Sequence, residues 1–286
     1  MGWTERKLTE GFGVELTGQT MGPGLPLAER RAVYDAVLHY GVVILPGQDL
    51  TDGDIEDFAR TFGPTVILPH RIGEQPPAVE TLSNLDADGN ILPADSMINT
   101  ASKANELWHI DSTYQKPRAT VSMLYGVAIP PAGGNTEFCD VRRAWEALSP
   151  KEQAKLEGLI ASHSIIHSRE LTGFTDWPDE YRAMFQPIDR PLVRAHEETG
   201  RKALLTASHI EKLTGYSKDE TVALVADLIA RATVPENVYS HRWSAGDFVM
   251  WDNRSLMHRG RPYEIDTHPR VLRTIRLMDV AEMEAA

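Results

Sequence analysis

The chain has 286 residues, of which 42% are hydrophobic and 24% charged, an ordinary globular composition that allows one large β-rich domain or two small ones. The net charge of −12 argues against a nucleic-acid-binding protein, because phosphate binding requires a basic surface. The single cysteine, Cys139, excludes an intrachain disulfide and a paired-cysteine metal site. No apolar run has signal-peptide or membrane-spanning length, so we expect a cytoplasmic protein without a membrane partner.

Helix and strand patterns alternate in the first part of the chain. Residues 12–17 alternate in the manner of a strand, and residues 27–38 carry apolar side chains at helical spacing. The β-branched run at 41–45 is typical of a buried strand. Thr51 then opens a second helix with a start that resembles a capping box, and Gly63 followed by proline ends it.

Two long stretches, residues 65–105 and 165–190, lack clear periodicity and contain several prolines. Irregular stretches of this length are mobile lids beside a site, plain surface loops or misread hairpin regions, and the pattern leaves these interpretations open. We therefore mark both stretches as candidate lid segments.

The remaining sequence predicts many short strands and a few helices. A proline-started helix is predicted at 149–158, a hairpin turn at 197–201 and an amphipathic helix at 217–232. Strands are predicted at 120–129, 135–141, 238–243, 247–251 and 270–278. Such a pattern predicts a mainly β fold with flanking helices and a jelly-roll core, in a single domain that spans residues 1–286.

Four polar residues form the pattern most informative about chemistry. His109 and Asp111 are two residues apart, so on a strand their side chains would point to the same face. His258 follows far along the chain, as a third ligand from another strand would, and Arg270 comes twelve residues later. Two histidines and one carboxylate suit a divalent first-row metal and leave coordination positions open, while the arginine could bind a keto acid. A zinc hydrolase could use the same three ligands.

The chain resembles the TauD/TfdA family of Fe(II)- and 2-oxoglutarate-dependent dioxygenases, and within it most closely the dichlorophenoxyacetate (aryloxyalkanoate) branch. The motifs that carry the resemblance lie at residues 108–113, 133–140, 246–254 and 258–260. The resemblance implies a double-stranded β-helix (jelly roll, cupin-like) and iron ligands His109, Asp111 and His258. It further implies 2-oxoglutarate and O2 as cosubstrates, with a 2-oxoglutarate site formed by Thr136, Trp251 and Arg270.

One position departs from the family pattern. Dichlorophenoxyacetate and taurine dioxygenases resemble each other in a second arginine, four residues after the cosubstrate arginine, that binds the substrate's anionic group. Here that position is Thr274. Strand alternation puts Arg270, Thr274 and Arg276 on one face and Arg273 on the other, so Arg276 could take over this role, or the substrate could carry its charge elsewhere.

Other candidate substrate contacts are less specific, because isolated polar residues of these types also serve as ordinary surface, turn or core groups. They are His70, Asn105, Ser112, His209 and Arg276. Two further histidines, His163 and His167, could line the pocket but are typical of core or surface positions.

The reaction implied by the resemblance is hydroxylation of a small anionic substrate, most simply an aryloxyalkanoate ether cleaved to a phenol and an oxo acid. Decarboxylation of 2-oxoglutarate to succinate and CO2 accompanies it. A taurine or alkylsulfonate, sulfate-ester or other small-carboxylate oxygenase is the alternative within the family. A jelly-roll binding protein without turnover is the alternative outside it. Membership of the family also favours a homo-oligomer.

Overall fold

The computed structural model describes residues 2–65 and 77–284, in which short strands outnumber α-helices. The strands are β1 (Thr4–Lys7), β2 (Val14–Thr17), β3 (Val42–Leu45), β4 (Glu80–Ser83), β5 (Ala119–Ala128), β6 (Thr136–Asp140), β7 (Ile160–His163), β8 (Ile188–Pro191), β9 (Val193–Ala195), β10 (Lys202–Leu204), β11 (Ile210–Leu213), β12 (Val238–His241), β13 (Phe248–Asp252), β14 (Leu256–Gly260) and β15 (Val271–Met278). The α-helices are α1 (Leu27–Tyr40), α2 (Asp52–Arg60), α3 (Met97–Ser102), α4 (Val141–Glu146), α5 (Pro150–Leu156), α6 (Ile165–Glu170), α7 (Asp179–Met184), α8 (Lys218–Ala232) and α9 (Val280–Glu284). Short 3₁₀ helices lie at Lys103–Glu106 and Pro235–Asn237.

A seven-stranded sheet in the order β1-β2-β3-β13-β5-β15-β4 forms one wall of the structure. Strands β2 and β3 are parallel, whereas β13 pairs antiparallel with both β3 and β5. Because β13 lies about 200 residues after β3 and more than 100 after β5, strands from both halves of the chain meet in one sheet. The same sheet therefore brings sequence-distant side chains to one face.

The three-stranded sheet β12-β6-β14 packs against one face of this wall, and helices α1 and α2 cover the other. On β13, Val249 and Trp251 belong to the same core cluster as Phe138 of β6, while Phe248 and Met250 belong to the cluster that includes α1 and α2. Because β13 is buried on both faces, its residues need not alternate between polar and apolar, which explains the apolar run at 248–251. The prediction of a mainly β fold with flanking helices is confirmed.

The helix predictions that rested on start signals are confirmed. Helix α2 begins after Thr51, whose side chain and Asp54 form a capping box. Helix α5 begins after Ser149, which forms the same arrangement with Glu152. These ends follow from local hydrogen bonds between side chain and backbone, so the sequence alone can locate them. Within residues 2–65 and 77–284, no helix combines the length and apolar content that crossing a membrane requires.

The two stretches expected to be irregular contain regular elements, and in this respect the expectation was wrong. Strand β4 and helix α3 lie in the first stretch, and α6, α7 and β8 lie in the second. Strand β4 forms the edge of the large sheet, where it pairs with β15 through Leu82 and Leu272. A four-residue strand whose partner lies almost 200 residues away leaves no periodic pattern in the sequence. Its strand conformation depends on pairing with that partner and not on its own residues.

Phe58 on α2 provides a test of how much the helical layer contributes to stability. Its ring is buried and meets Phe248 of β13 edge-on, with 5.8 Å between ring centroids. Because Phe58→Ala leaves a cavity between helix and sheet, we expect it to lower the free energy of unfolding by about 3–5 kcal/mol. Urea unfolding measures this loss. Val222→Ala, at an exposed position of α8, is the control and should change the value by less than about 0.5 kcal/mol.

Candidate metal and cosubstrate site

A cavity of about 340 Å³ is lined by all six residues that the sequence predicts for the metal and 2-oxoglutarate sites, and its volume suits a small ligand. His109, Asp111 and His258 line it, as do Thr136, Trp251 and Arg270. The strands that carry these residues come from both sheets, with Thr136 on β6, His258 on β14 and Trp251 on β13. The cavity therefore lies where the two sheets face each other.

Backbone pairing holds the two histidines together. The amide of His109 donates to the carbonyl of His258 and the amide of His258 donates to the carbonyl of His109, each at 2.9 Å. This single bridge is the only strand-like pairing of His109 in the described part of the chain, and Asp111 already begins a turn. The expectation that His109 and Asp111 lie on a continuous strand was therefore wrong. Their side chains converge because the chain turns back after the bridge.

Ser112 makes that turn possible. Its φ angle is +58°, in the left-handed region that few residues other than glycine adopt. The residue is buried and is absent from the lining of the cavity, although it was expected to approach the substrate. Its contribution is to the backbone path that directs the Asp111 carboxylate towards the two histidines.

The ligand atoms of the three residues converge on one point. The Nε2 atoms of His109 and His258 lie 3.8 Å and 3.6 Å from Oδ1 of Asp111, too far apart for hydrogen bonds. In residues 2–65 and 77–284, this is the one group of three histidine, cysteine or acidic side chains whose ligand atoms lie within 4.8 Å of one another. Two imidazoles and a carboxylate in this arrangement fit a divalent iron ion.

Both histidines are prepared to act as neutral ligands. The Nδ1 atom of His109 lies 2.7 Å from the carbonyl oxygen of Leu107, to which it donates, so Nε2 keeps its lone pair for a metal. Burial lowers the pKa of His109, and burial together with the charge of His109 lowers the pKa of His258 to about 3. A metal would therefore displace no proton from either ring at neutral pH.

A chain of buried hydrogen bonds orients the Asp111 carboxylate. Ser122 donates to Oδ2 of Asp111 at 2.7 Å, Asn253 donates to Ser122 at 2.8 Å, and Trp251 donates to Asn253 at 3.0 Å. Arg276 also approaches Oδ2, at 3.4 Å. Burial alone would raise the pKa of Asp111, but the charges of His258 and Arg276 outweigh it and lower the pKa. Oδ2 is thus occupied, and Oδ1 is left for the metal.

Arg270 supplies a positive charge at the other end of the cavity. One guanidinium nitrogen donates to the carbonyl of Gly134 at 3.2 Å, and the buried Nε has no partner among the described residues. Burial lowers the pKa of this guanidinium, and no ion pair with a described carboxylate opposes that effect. Thr136, which accepts a hydrogen bond from Trp243 at 3.0 Å, lines the same end. An unpaired buried guanidinium beside a hydroxyl fits a ligand carboxylate.

The weaker candidates have different positions. His209 lines the cavity and packs against Tyr114, with ring centroids 4.8 Å apart, and Asn105 and Arg276 also line it. His163 is buried in the core instead, and His167 lines a separate cleft. His70 lies outside the described residues.

Sequence reasoning missed several cavity residues, among them the polar side chains of Glu80, Tyr114, Gln115 and Arg169. Arg169 lies on α6 and donates to the side-chain oxygen of Asn105 at 3.2 Å. Phe185, just after α7, adds an aromatic wall. No local signal marks these residues, because Arg169 and Phe185 belong to a stretch without periodicity and reach the cavity only when α6 and α7 pack beside it.

Comparisons with known proteins agree with this geometry. The sequence profile of the taurine catabolism dioxygenase TauD, TfdA family matches residues 4–276. The alpha-ketoglutarate-dependent 2,4-dichlorophenoxyacetate dioxygenase of Cupriavidus pinatubonensis is 40% identical over 243 residues, which span 83% of this chain and 85% of that protein. The (S)-phenoxypropionate/alpha-ketoglutarate-dioxygenase of Sphingobium herbicidovorans is 34% identical over 246 residues, with coverage of 83% and 82%. The crystal structure of AAD-2 in complex with Mn(II) and N-oxalylglycine superimposes with a TM-score of 0.89 at 37% identity, covering 97% of both chains.

Ser122→Ala tests whether the hydrogen bond to Asp111 prepares the metal site. Removing the donor frees the carboxylate to rotate, so we expect the dissociation constant of Mn(II) to rise about 10-fold to 100-fold. Calorimetric titration with Mn(II) avoids oxidation of iron. Ser255→Ala is the matched control, because its buried hydroxyl has no partner among the described residues. Equal effects of the two substitutions would show that the Asp111 contact is not the cause.

His163 predicts a pH dependence of stability. Its ring is fully buried without a hydrogen-bond partner among the described residues, and burial followed by the charge of Arg190 lowers its pKa to about 3. The unfolded chain therefore binds a proton that the folded chain excludes as the pH falls below about 6.5, so acid destabilises the folded state. We expect this residue to contribute about 2 kcal/mol to the stability lost between pH 7 and pH 5.

Urea unfolding at the two pH values measures that loss in the wild type and in His163→Leu. The variant should lose about 2 kcal/mol less than the wild type, because it has no such proton to exclude. The exposed His39 provides the control substitution, and His39→Leu should retain the full wild-type loss. An identical loss in all three proteins would contradict the assignment.

Proposed function

The chain belongs to the taurine catabolism dioxygenase (TauD, TfdA) family, and we propose that it is an Fe(II)- and 2-oxoglutarate-dependent dioxygenase that oxidises an aryloxyalkanoate-type ether. The observation that carries the proposal is the convergence of His109, Asp111 and His258 in one cavity with Arg270, a buried cation that has no carboxylate partner among the described residues. A metal ligand set alone would suit several reactions. A buried cation without a described carboxylate partner in the same cavity adds a place for a keto acid.

Each of these residues has a defined role in the proposal. His109, Asp111 and His258 hold Fe(II), while Arg270 and Thr136 bind the distal carboxylate of 2-oxoglutarate. Trp251 forms part of the wall between them and packs against His258, with 4.8 Å between ring centroids. When bound, Fe(II) and 2-oxoglutarate supply the chemistry that activates O2. The protein contributes orientation and a site shielded from water.

The walls of the cavity support an aryloxyalkanoate as the substrate. Leu82, Ile165 and Phe185 offer apolar surface for an aromatic ring, and arginine side chains offer partners for a carboxylate. Decarboxylation of 2-oxoglutarate gives CO2 and succinate, and succinate takes up one atom of O2. The other oxygen atom is inserted into the C–H bond beside the ether oxygen of the substrate. The resulting hemiacetal breaks its bond to the aryl oxygen, which leaves as a phenol, and the remaining carbon becomes the carbonyl of an oxo acid.

We also propose that the two facing sheets form a double-stranded β-helix, or jelly roll, within a single domain spanning residues 1–286. The antiparallel pairing of β13 with β3 and β5 supports this arrangement. So does the packing of Phe138 from β6 and Leu256 from β14 against the large sheet. The bridge between His109 and His258 would then lie at one end of that core.

One observation keeps a sulfonate or sulfate-ester substrate as the second candidate. Thr274 lines the cavity with a buried hydroxyl that has no partner among the described residues, in the position of the family's substrate-binding arginine. A different anionic group could therefore be accommodated. A binding protein without turnover is less consistent with the site, because the complete set of three metal ligands and Arg270 are both present. A zinc hydrolase is less consistent still, because Arg270 and Thr136 would have no role in it.

Anaerobic titration with Fe(II) and then 2-oxoglutarate tests the enzyme class. We expect the weak visible charge-transfer band of the chelate in the wild type and its loss in His109→Ala. Arg270→Met removes the charged partner of the distal carboxylate, so the dissociation constant of 2-oxoglutarate should rise about 100-fold. Arg273→Met is the matched control, because Arg273 lies on β15 three residues after Arg270, is absent from the lining of the cavity and contacts Asp52 instead.

Two outcomes of this titration would contradict the proposal. If the protein is fully loaded with iron but gives no band with 2-oxoglutarate, the oxygenase proposal is wrong and the binding-protein interpretation takes its place. Oxygen-independent hydrolysis supported by zinc would favour the hydrolase. If the band forms, oxygen-dependent succinate release with a panel of aryloxy acids, alkylsulfonates and sulfate esters distinguishes the two substrate classes.

A further inference from the structure

Two arginines besides Arg270 line the cavity, and they differ in how their charge is balanced. Arg276 approaches Asp111 at 3.4 Å, and the negative charges of Asp111 and Glu80 both raise its pKa. Arg169 donates instead to neutral groups, the side-chain oxygens of Asn105 at 3.2 Å and Ser168 at 3.3 Å. In residues 2–65 and 77–284, no carboxylate lies within ion-pair distance of Arg169.

Arg169 is nevertheless close to the metal ligands. Its positive charge lowers the pKa of His109 and of His209, and it opposes the effect of burial on Tyr114. Burial lowers the pKa of Arg169 itself, with Tyr114 and Asp111 acting in the opposite direction. A partly desolvated cation that faces a cavity without an anionic partner is stabilised when an anion binds there.

Arg276 is poorly suited to the same task. Its guanidinium already interacts with the carboxylate that is expected to bind iron, so a substrate anion placed against it would compete with Asp111. Thr274 lies two residues before Arg276 on β15, and its side chain has a hydroxyl group in place of a charge. The substrate side of the cavity therefore has one arginine whose charge no described carboxylate balances, and it comes from α6.

We propose that Arg169 binds the anionic group of the substrate, a carboxylate for an aryloxyalkanoate, and replaces the guanidinium that Thr274 does not provide. The inference rests on the proposed oxygenase function and deepens it. Asn105 and Ser168 orient the guanidinium by each accepting from one terminal nitrogen, and each of these nitrogens keeps one further N–H for a two-point contact with a carboxylate. Ile165, on the first turn of the same helix, lines the cavity and would contact the apolar part of the substrate.

The experiment compares an anionic substrate with an uncharged analogue of nearly the same shape. 2,4-Dichlorophenoxyacetate and 2-(2,4-dichlorophenoxy)ethanol are added to the iron-loaded protein with 2-oxoglutarate. Anaerobic changes in the chelate band give their dissociation constants, and phenol release in the presence of O2 gives kcat/KM. In Arg169→Met, we expect the dissociation constant of the acid to rise about 100-fold while that of the alcohol changes less than about threefold.

Further variants separate charge from structure. Arg169→Lys should recover part of the affinity for the acid, because it keeps the charge but loses the two-point geometry. Arg276→Met should weaken the acid and the alcohol alike, because it disturbs Asp111. Arg182→Met is the control, because Arg182 is an exposed residue on α7, and this variant should behave as the wild type. An unchanged 2-oxoglutarate band shows that each Arg169 variant has an intact metal and cosubstrate site. Arg169→Gln is a second neutral variant should the methionine variant fold poorly.

The possible results distinguish the inference from the function on which it rests. If the acid's dissociation constant stays within threefold in both neutral variants of Arg169, the inference is wrong even when the wild type cleaves the acid. If the wild type forms the chelate band but releases succinate only with an alkyl sulfate ester, the aryloxyalkanoate proposal is wrong. Arg169 is then assessed by titrating that ester against the same variants, where a 100-fold loss of affinity supports the inference and no loss overturns it.

Discussion

The pair of backbone hydrogen bonds between His109 and His258 is the contact on which the candidate site depends. It joins two segments separated by about 150 residues, one of them a turn and the other a strand of the smaller sheet. Neither histidine could reach a common metal without this bridge. The turn at Ser112 then brings Asp111 back towards both rings, so a strained backbone position contributes to the convergence of three side chains.

Local charge in the cavity is opposite to the charge of the whole protein. The chain carries a net charge of −12, yet Arg169, Arg270 and Arg276 all line one cavity of about 340 Å³. Only Arg276 has a carboxylate partner among the described residues. The two remaining guanidinium groups thus provide two places for anions, which is the number required when a keto acid and an anionic substrate bind together.

Much of the fold and the central part of the site were predictable from the sequence, and the exceptions have a common cause. The capping boxes before α2 and α5 depend on residues three positions apart, and the apolar run of β3 indicates that this strand is buried. Strand β4 depends on β15 for its existence, so its four residues carry no pattern of their own. The same limitation applies to Ser122, whose role depends on contacts with Asp111 and Asn253.

The sequence by itself determined which chemical groups are available, because metal and cosubstrate binding need particular side chains that form a recognisable set of motifs. His109, Asp111, His258 and Arg270 could be named from that set alone. Only the tertiary structure decided which oxygen of Asp111 is free and which cavity arginines have no carboxylate partner among the described residues. Hydrogen bonding and charge balance depend on distances between residues far apart in the chain, and those distances exist only after the sheets and helices have packed.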